Sequence, residues 1–433
     1  MSHRSRLLVC ALLLMAVARL PASAGLLEYV AKPDPAYQWS KIGEQSAGIL
    51  KVTDLAMTSQ QWQGITWKHT IRIFSPPQIR NPQAMVLVIA GGNPGPIARD
   101  NYLPLMTALA TSISEPVAIL YNIPNQPLFG GLQEDYLIAY TFDKYLQTGD
   151  ETWPLLLPMT KSAVRAMDTL QAFAQQEWQR DLTSFVVTGA SKRGWTTWLT
   201  GAADPKRVAG IAPMVIDTLN LPTQMAHQIE TWGKYSASIS EYTERGIQGR
   251  TLTPQGVALL KLVDPYTFLD RITMPKLIIN GANDQYWVID ALNFYWGEVK
   301  PPKWVLYVPN ATHGLEDVAR LANTLIAFVP AVTGGPALPA MSWEHGDADG
   351  KVTLDITADP KPVAARIWVN RSQDMDFRDN RWEPTPMTEQ GSAFVGSIAK
   401  SKTENMALFG EAEFNNGGRT FTLSTQVRVV PLK

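Results

Sequence analysis

One serine in this chain stands where it could act as a nucleophile. Ser191 follows an apolar, β-branched run at 184–188 that predicts a short buried strand, and residues 195–203 predict a helix. A serine at a tight strand-to-helix turn is the arrangement called a nucleophile elbow. Arg193 stands where the elbow pattern has its second glycine, and Gly194 comes one position later. Taken alone, the motif leaves open that the serine merely caps the helix.

An acid and a histidine come later in the chain, each directly after a predicted strand. Asp284 follows the strand predicted at 276–280, and His313 follows the strand predicted at 303–308. The order Ser, Asp, His is that of α/β-hydrolases and differs from the orders in chymotrypsin and subtilisin. We therefore predict a triad in which His313 takes the proton of Ser191 and Asp284 orients the imidazole.

A second aspartate is the rival candidate for the acid. Asp217 follows the strand predicted at 208–216, and some hydrolase-fold sites draw their acid from that position. Among the other histidines, His69 lies in a predicted strand and His345 lies near the C-terminus, so we expect both to be structural. His227 lies in a segment expected over the site, where it could contact substrate. No His, Asp and Glu cluster has metal-ligand spacing, so we predict no metal and no cofactor.

Acyl transfer also needs hydrogen-bond donors for the oxyanion. We predict that one donor is the backbone N–H of Lys192, the residue after the nucleophile. The second is expected from Gly92 and Asn93, in the loop after the strand predicted at 85–90. The alternatives for this loop are a plain glycine turn and a phosphate-binding loop, but residues 91–95 fit neither the dinucleotide nor the Walker pattern.

Two cations open the helix after the serine. Lys192 and Arg193 face the positive end of the helix dipole, which costs roughly 0.3–1 kcal/mol per charge at a surface. A structural ion pair or an anionic group on the substrate would offset that cost, and we expect the ion pair. The candidate partners are Asp217, Glu134 and Asp135.

The predicted elements indicate the α/β class with an added C-terminal part. Buried strands alternate with helical patterns such as 161–173, which predicts βαβ units and a mostly parallel sheet of the α/β-hydrolase fold over residues 25–330. Residues 218–266, aromatic and polar, predict a helical cap insertion over the site. Proline and glycine at 331–340 predict a linker, and alternating segments within 341–433 predict a small β-sandwich domain.

The N-terminus has the pattern of a secretory signal peptide. A basic start, an apolar run at 7–17 and small residues ending at Ala24 predict cleavage after residue 24, so residues 1–24 form the signal. The apolar run is too short to cross a bilayer, and no other segment is long and apolar enough. We expect an exported protein, periplasmic or secreted. The one cysteine, Cys10, belongs to the signal, so the mature chain would have no disulfide and no thiol ligand.

The charge balance argues against one class of partner. The 38 Lys and Arg residues nearly balance the 39 Asp and Glu residues, for a formal net charge of −1. Such a chain has no electrostatic basis for binding nucleic acid. The expected partner is a small-molecule or peptide substrate.

Six blocks of the sequence resemble one family. They are residues 58–69, 122–128, 158–168, 189–195, 212–217 and 308–313. The chain is similar in these blocks to the PhoPQ-activated pathogenicity-related proteins, and the resemblance covers nearly the whole mature chain. It implies an exported α/β-hydrolase-fold protein, with a link to the PhoP/PhoQ virulence regulon and to resistance against antimicrobial peptides. The family pattern also has Arg193 in place of the elbow glycine, and it implies no particular substrate.

Two functions from different classes fit these observations. The first is an exported serine hydrolase that acts on an ester or an amide, peptides included. The second is a non-catalytic binding or signalling protein on the same scaffold, because a fold does not determine a function. Reaction of Ser191 with a fluorophosphonate probe distinguishes the two.

Overall fold

Two β-sheets and their covering helices form the part of the chain that the structure describes. This computed structural model describes residues 25–92 and 103–432. The predicted signal peptide and the oxyanion candidate Asn93 therefore lie outside the described residues. In the described ranges, no helix is both long enough and apolar enough to span a membrane.

The described residues form eighteen strands and ten α-helices. The strands are β1 (Gln38–Ala47), β2 (Leu50–Trp62), β3 (Ile65–Ser75), β4 (Ala84–Ile89), β5 (Val117–Leu120), β6 (Ser184–Ala190), β7 (Val208–Met214), β8 (Lys276–Gly281), β9 (Lys303–Val308), β10 (Ala340–Ala348), β11 (Lys351–Asp359), β12 (Ala364–Ser372), β13 (Glu383–Pro386), β14 (Thr388–Gln390), β15 (Ala393–Ala399), β16 (Asn405–Asn416), β17 (Arg419–Ser424) and β18 (Arg428–Val430). The helices are α1 (Leu26–Ala31), α2 (Leu103–Ile113), α3 (Glu134–Thr148), α4 (Leu156–Phe173), α5 (Lys192–Ala203), α6 (Leu221–Trp232), α7 (Ser240–Glu244), α8 (Ile247–Arg250), α9 (Pro254–Val263) and α10 (Val318–Val332).

The large sheet is parallel in its centre and antiparallel on both sides. Its strand order is β1-β2-β3-β5-β4-β6-β7-β8-β9-β17-β16-β12-β13, with β18 also paired to β16. The strands from β5 to β9 in this order pair in parallel, and the flanking strands pair antiparallel. The prediction of a mostly parallel sheet is therefore wrong: the sheet is mixed, because hairpins precede its parallel part and C-terminal strands extend it. The parallel centre with the elbow serine after β6 is the arrangement of the α/β-hydrolase fold.

The central strands are apolar on both faces because helices cover both faces. Along β4, Met85 and Leu87 belong to the core that contains the buried side chains of α4 and α5. The alternate residues, Val86 and Val88, belong to the second core, with side chains of α2 and α10. Successive side chains of a strand point to opposite faces, so the two cores lie on opposite sides of the sheet.

The C-terminal strands differ from the predicted separate β-sandwich. Strand β17 pairs with β9 at Ser424 and Val305, so that β12, β13, β16, β17 and β18 continue the hydrolase sheet. Only β10, β11, β14 and β15 form a second sheet, and its residues Leu354 and Phe394 share a core with Val186 of the central sheet. The physical reason is the exposed edge of β9, which β17 covers by pairing with it.

The residues predicted to form a cap, 218–266, connect β7 to β8 and carry the four helices α6 to α9. Asp264 ties the two ends of this segment together. Its carboxylate accepts hydrogen bonds from the backbone N–H of Leu221 at 2.9 Å, where α6 begins, and from that of Tyr266 at 2.9 Å, just after α9. These two hydrogen bonds join the start of α6 to the residues just after α9.

Candidate active site

The elbow serine has a strained backbone in a crowded turn. Ser191 has φ 58° and ψ −127°, and its N–H donates to the carbonyl of Met214 at 2.8 Å. A Cβ at Gly189 would lie 2.8 Å from the carbonyl oxygen of Arg193. A Cβ at Gly194 would lie 2.7 Å from that of Met214. Gly194 is therefore the residue that lets α5 approach β7 closely. This explains why the second glycine stands one position later than in the usual elbow pattern.

The predicted acid and histidine meet at the carboxyl edge of the sheet. His313 Nδ1 lies 2.8 Å from Asp284 Oδ2, and Asp284 Oδ1 accepts the backbone N–H of Tyr286 at 2.9 Å. The His313 ring stacks on the Tyr286 ring with centroids 4.2 Å apart. An ionised carboxylate only accepts hydrogen bonds, so Nδ1 carries the proton and Nε2 presents its lone pair. Within the described residues, Nε2 is buried and has no hydrogen-bond partner.

The rival acid has other partners. The Tyr295 hydroxyl donates to Asp217 Oδ1, and Asn280 Nδ2 donates to Oδ2 at 3.0 Å. Burial raises the pKa of Asp217 to about 7, although the hydrogen bond from Tyr295 acts in the opposite direction. Among the hydrogen bonds of the described ranges, none joins Asp217 to His313. Of the two acids weighed from the sequence, the structure brings Asp284 to the histidine.

The predicted oxyanion donors lie around the start of α5. Lys192 is the first residue of that helix, so its N–H has no carbonyl partner within the helix. Gly92 has φ +111°, and a Cβ there would lie 3.2 Å from Asn122 Oδ1. The preceding Gly91 packs against Arg193, because a Cβ at Gly91 would lie 2.4 Å from Nη2 of that side chain. The loop after β4 therefore meets the helix that carries the nucleophile.

The two cations at the start of α5 are held by carboxylates. Arg193 makes a bidentate pair with Glu134, at 2.7 and 2.6 Å, and donates from Nε to the carbonyl of Ile123 at 2.6 Å. Lys192 Nζ lies 3.0 Å from Glu134 and 2.9 Å from Asp135. Desolvation would raise the pKa of Glu134, but the hydrogen bond and charge of Arg193 and the charge of Lys192 lower it to about 2. Glu134 and Asp135 are thus the partners, whereas Asp217 is not.

A cavity opens directly beside the nucleophile. Its enclosed part is about 70 Å³, and its envelope, which includes open solvent at the mouth, is about 710 Å³. Ser191, Lys192 and Tyr286 line it together with helices of the cap. Tyr286 of the cavity wall also stacks on His313 and donates its backbone N–H to Asp284, so one wall residue contacts both members of the acid–histidine pair.

The remaining histidines have structural partners or lie apart from the cavity. His69 Nε2 contacts Ser59 Oγ at 2.9 Å, and burial lowers the pKa of His69 to about 4. His227 Nε2 lies 2.6 Å from Asp290 Oδ1, and His227 is not among the described residues that line the cavity. His345 lies in β10. In the described ranges, no His, Cys, Asp and Glu group could hold a metal ion.

A loop in the C-terminal part of the chain binds both the loop that carries Asp284 and the loop that carries His313. The sequence analysis did not predict these contacts. The loop 373–382 joins β12 to β13. Asn283, beside the acid, donates to two carbonyls of this loop at 2.8 Å each. Asn310, three residues before the histidine, donates to the carbonyl of Trp382 at 3.0 Å and accepts its N–H at 2.8 Å. The only sequence signal is an asparagine close to each candidate catalytic residue.

The strand order, the elbow and the acid–histidine pair define an α/β-hydrolase-fold protein. The chain belongs to the family described as PhoPQ-activated pathogenicity-related protein, which it matches over residues 26–378. A relative is the autocrine proliferation repressor protein A of Dictyostelium discoideum. It is 30% identical over 472 aligned residues, which cover 99% of this chain and 94% of that protein.

Some solved structures show a distant likeness. An acetyl xylan esterase from Paenibacillus sp. R4 aligns with a TM-score of 0.48 at 13% identity, covering 70% of this chain and 95% of that one. An S-formylglutathione hydrolase from Agrobacterium tumefaciens aligns with a TM-score of 0.45 at 13% identity, covering 67% of this chain and 98% of that one. At these scores the alignments say nothing about the substrate of this protein.

Proposed function

We propose that this protein is a serine hydrolase that cleaves an ester or an amide bond, peptides included. The observation that carries the proposal is the pair between His313 Nδ1 and Asp284 at 2.8 Å, which leaves Nε2 buried and without a hydrogen-bond partner. The backbone strain at Ser191 supports the same conclusion, because strained residues cluster at active sites.

The reaction follows from these positions. Ser191 Oγ attacks the scissile carbonyl carbon while His313 Nε2 takes its proton, and Asp284 stabilises the imidazolium that forms. The N–H of Lys192 and the backbone after β4 donate to the oxyanion, and one such donor is worth about 10²–10³-fold in kcat. The intermediate collapses as His313 protonates the leaving alcohol or amine. Water then cleaves the acyl-enzyme by the same proton transfers.

The serine and histidine are not yet hydrogen-bonded to each other in the described residues. Catalytic hydrogen bonds are often long without substrate and tighten in the Michaelis complex, so this geometry is compatible with the mechanism. The proposal therefore requires Ser191 Oγ and His313 Nε2 to come within hydrogen-bonding distance when substrate binds.

Export is part of the proposal and rests on the N-terminal signal pattern of residues 1–24. The protein would act in the periplasm or outside the cell. A role in virulence is proposed from the family description, and a role in resistance to antimicrobial peptides only from the family resemblance of the sequence.

Labelling with a fluorophosphonate probe tests the hydrolase proposal. We expect the wild-type protein to be labelled, and Ser191→Ala to lose both labelling and about 10⁴-fold or more of the turnover of simple esters. The matched control is Ser342→Ala, which removes an exposed hydroxyl of β10 and should change neither. Undiminished turnover by a folded Ser191→Ala protein would show that the serine is not the nucleophile.

The second candidate function is non-catalytic signalling or binding on the same scaffold. Two observations favour it: the missing Ser191–His313 hydrogen bond, and the name of the Dictyostelium relative, a proliferation repressor. A folded wild-type protein that resists the probe and hydrolyses no ester or peptide would select this candidate over the first.

A further inference from the structure

The cavity beside the nucleophile is lined mainly by apolar side chains. The described apolar lining residues are Phe142, Trp195, Ile216, Leu221, Met225, Ile239, Ile247, Leu259, Leu260 and Trp287. Helices α6 and α9 of the cap supply four of them, at 221, 225, 259 and 260. An apolar pocket with a few polar groups at one end is the usual design of a small-molecule site, and here that end carries Ser191.

The charged groups in the cavity wall neutralise each other. Among the described lining residues the only charged side chains are Lys192 and Asp135, and they pair with each other at 2.9 Å. Lys192 also contacts Glu134, and the Tyr242 hydroxyl donates to Asp135 at 3.0 Å. A charged substrate group in this cavity would lose its hydration without gaining a free counter-ion, which is costly.

We propose that this cavity binds an uncharged, apolar group of the substrate and selects against both anionic and cationic groups of the same length. The inference rests on the proposed hydrolase function and names the substrate class of that site. The apolar group can belong to the acyl part or to the alcohol part of an ester, because either could extend from the scissile carbonyl into the cavity. Leu260 and Met225, on the cap helices, determine how long that group can be.

Two ester series identify which part of the substrate the cavity takes. The first varies the acyl chain of p-nitrophenyl esters from acetate to octanoate, and the second varies the alcohol of alkyl acetates over the same lengths. We expect kcat/KM to rise about fourfold per methylene in one of the series until the cavity is full. If the acyl series shows the length dependence, the p-nitrophenyl succinate and 4-aminobutyrate esters should be at least tenfold slower than butyrate; if the alcohol series shows it, the acetates of 4-hydroxybutyrate and of 4-aminobutanol should be at least tenfold slower than butyl acetate. Equal or faster turnover of either charged ester, or no length dependence in both series, would overturn the inference.

Cavity variants test the assignment of the specificity residue. Leu260→Phe should lower kcat/KM at least tenfold more for the longest accepted ester than for acetate esters, and Leu260→Ala should shift the optimum to a longer chain. The matched control is Val257→Phe, which adds the same ring on the exposed face of the same helix and should leave the length optimum unchanged. An unchanged optimum in both Leu260 variants would refute the role of this residue.

A binding measurement separates this inference from the hydrolase proposal. Folded Ser191→Ala protein, which turns nothing over, should bind 1-hexanol at least tenfold more tightly than hexanoate or hexylammonium in calorimetry. Leu260→Phe should weaken the binding of 1-hexanol, whereas Val257→Phe should not. If 1-hexanol binds but the wild-type protein is not labelled by the fluorophosphonate, the hydrolase proposal fails and the apolar site stands. If labelling occurs but 1-hexanol does not bind preferentially, only the apolar site fails.

Discussion

Removal of the Arg193 side chain should destabilise the protein together with its candidate active site. Arg193 has a side chain that is 12% exposed, and it joins Glu134 by two hydrogen bonds and Ile123 by a third. Loss of one partner of a fully buried pair costs about 3–5 kcal/mol. Glu134 is 39% exposed and keeps Lys192 at 3.0 Å, so we reduce the expected cost of Arg193→Ala to about 2 kcal/mol.

Thermal and urea unfolding measure this cost. A loss of about 2 kcal/mol should lower Tm by about 2 °C. Arg193→Lys should recover part of this loss, because it keeps the positive charge but not the bidentate geometry. The matched control is Lys41→Ala, an exposed cation with two carboxylates within 2.8 Å, which should melt like the wild-type protein. If Arg193→Ala melts like the wild type but loses only the turnover of anionic substrates, Arg193 binds substrate and the structural interpretation is refuted.

Two further substitutions test the surroundings of the site. Because burial raises the pKa of Asp217 to about 7, its charge is absent in the folded protein at pH 4 and forms as the pH rises to 7. Asp217 should therefore contribute a fall in stability of roughly 4 kcal/mol over that window, and Asp217→Asn should remove that part of the fall in urea titrations at several pH values. The part that remains comes from groups such as Asp264, whose pKa burial raises to about 6; an equal fall in the variant and the wild-type protein would contradict the assignment. Asn310→Ala should lower the free energy of unfolding by about 2 kcal/mol or more. The variant leaves the buried N–H and carbonyl of Trp382 unpaired, and it places an alanine at φ 58°. Asn310→Gly also loses these hydrogen bonds but relieves the backbone strain, so it should be less destabilised than Asn310→Ala in the same assay. Equal free energies of unfolding for both variants and the wild-type protein would show that the hydrogen bonds between Asn310 and Trp382 do not stabilise the fold.

The position of the acid–histidine pair could be predicted from the sequence because it depends on one simple rule. Apolar runs identify β6, β8 and β9 as buried strands, and the carboxyl ends of parallel strands meet at one edge of a sheet. Ser191, Asp284 and His313 each follow such a strand, so local pattern alone places all three at the same edge of the sheet. The choice against Asp217 agrees with the partners that Tyr295 and Asn280 provide, although nothing in the sequence indicated those partners.

Other features of the site depend on contacts that no local pattern shows. The sequence left Glu134 as only one of three candidate partners for Arg193. Glu134 begins α3, which is far along the chain from α5, so no local pattern joins the two residues. The need for Gly194 arises from the carbonyl of Met214 on a neighbouring strand. The stacking of Tyr286 on His313 likewise joins residues from two separate loops.

The continuation of the hydrolase sheet into the C-terminal strands was not predicted from the sequence, and a separate β-sandwich is not confirmed. Short alternating segments predict strands well but do not specify which edge they join. A single bridging pair, Val305 with Ser424, decides between a separate sandwich and an extension of the main sheet. Such a pairing between distant segments has no signature in composition or periodicity.

The loop that ends at Trp382 also sets the order in which the site can form during synthesis. A ribosome that has just extended the chain past His313 has produced the serine, the acid and the histidine, but not yet the backbone groups that Asn283 and Asn310 bind. Strand β17, which covers the edge of β9, is translated later still. The nascent chain therefore carries its nucleophile in an unfinished site, and the acid and histidine loops become fixed only when the end of the chain has emerged and folded onto them.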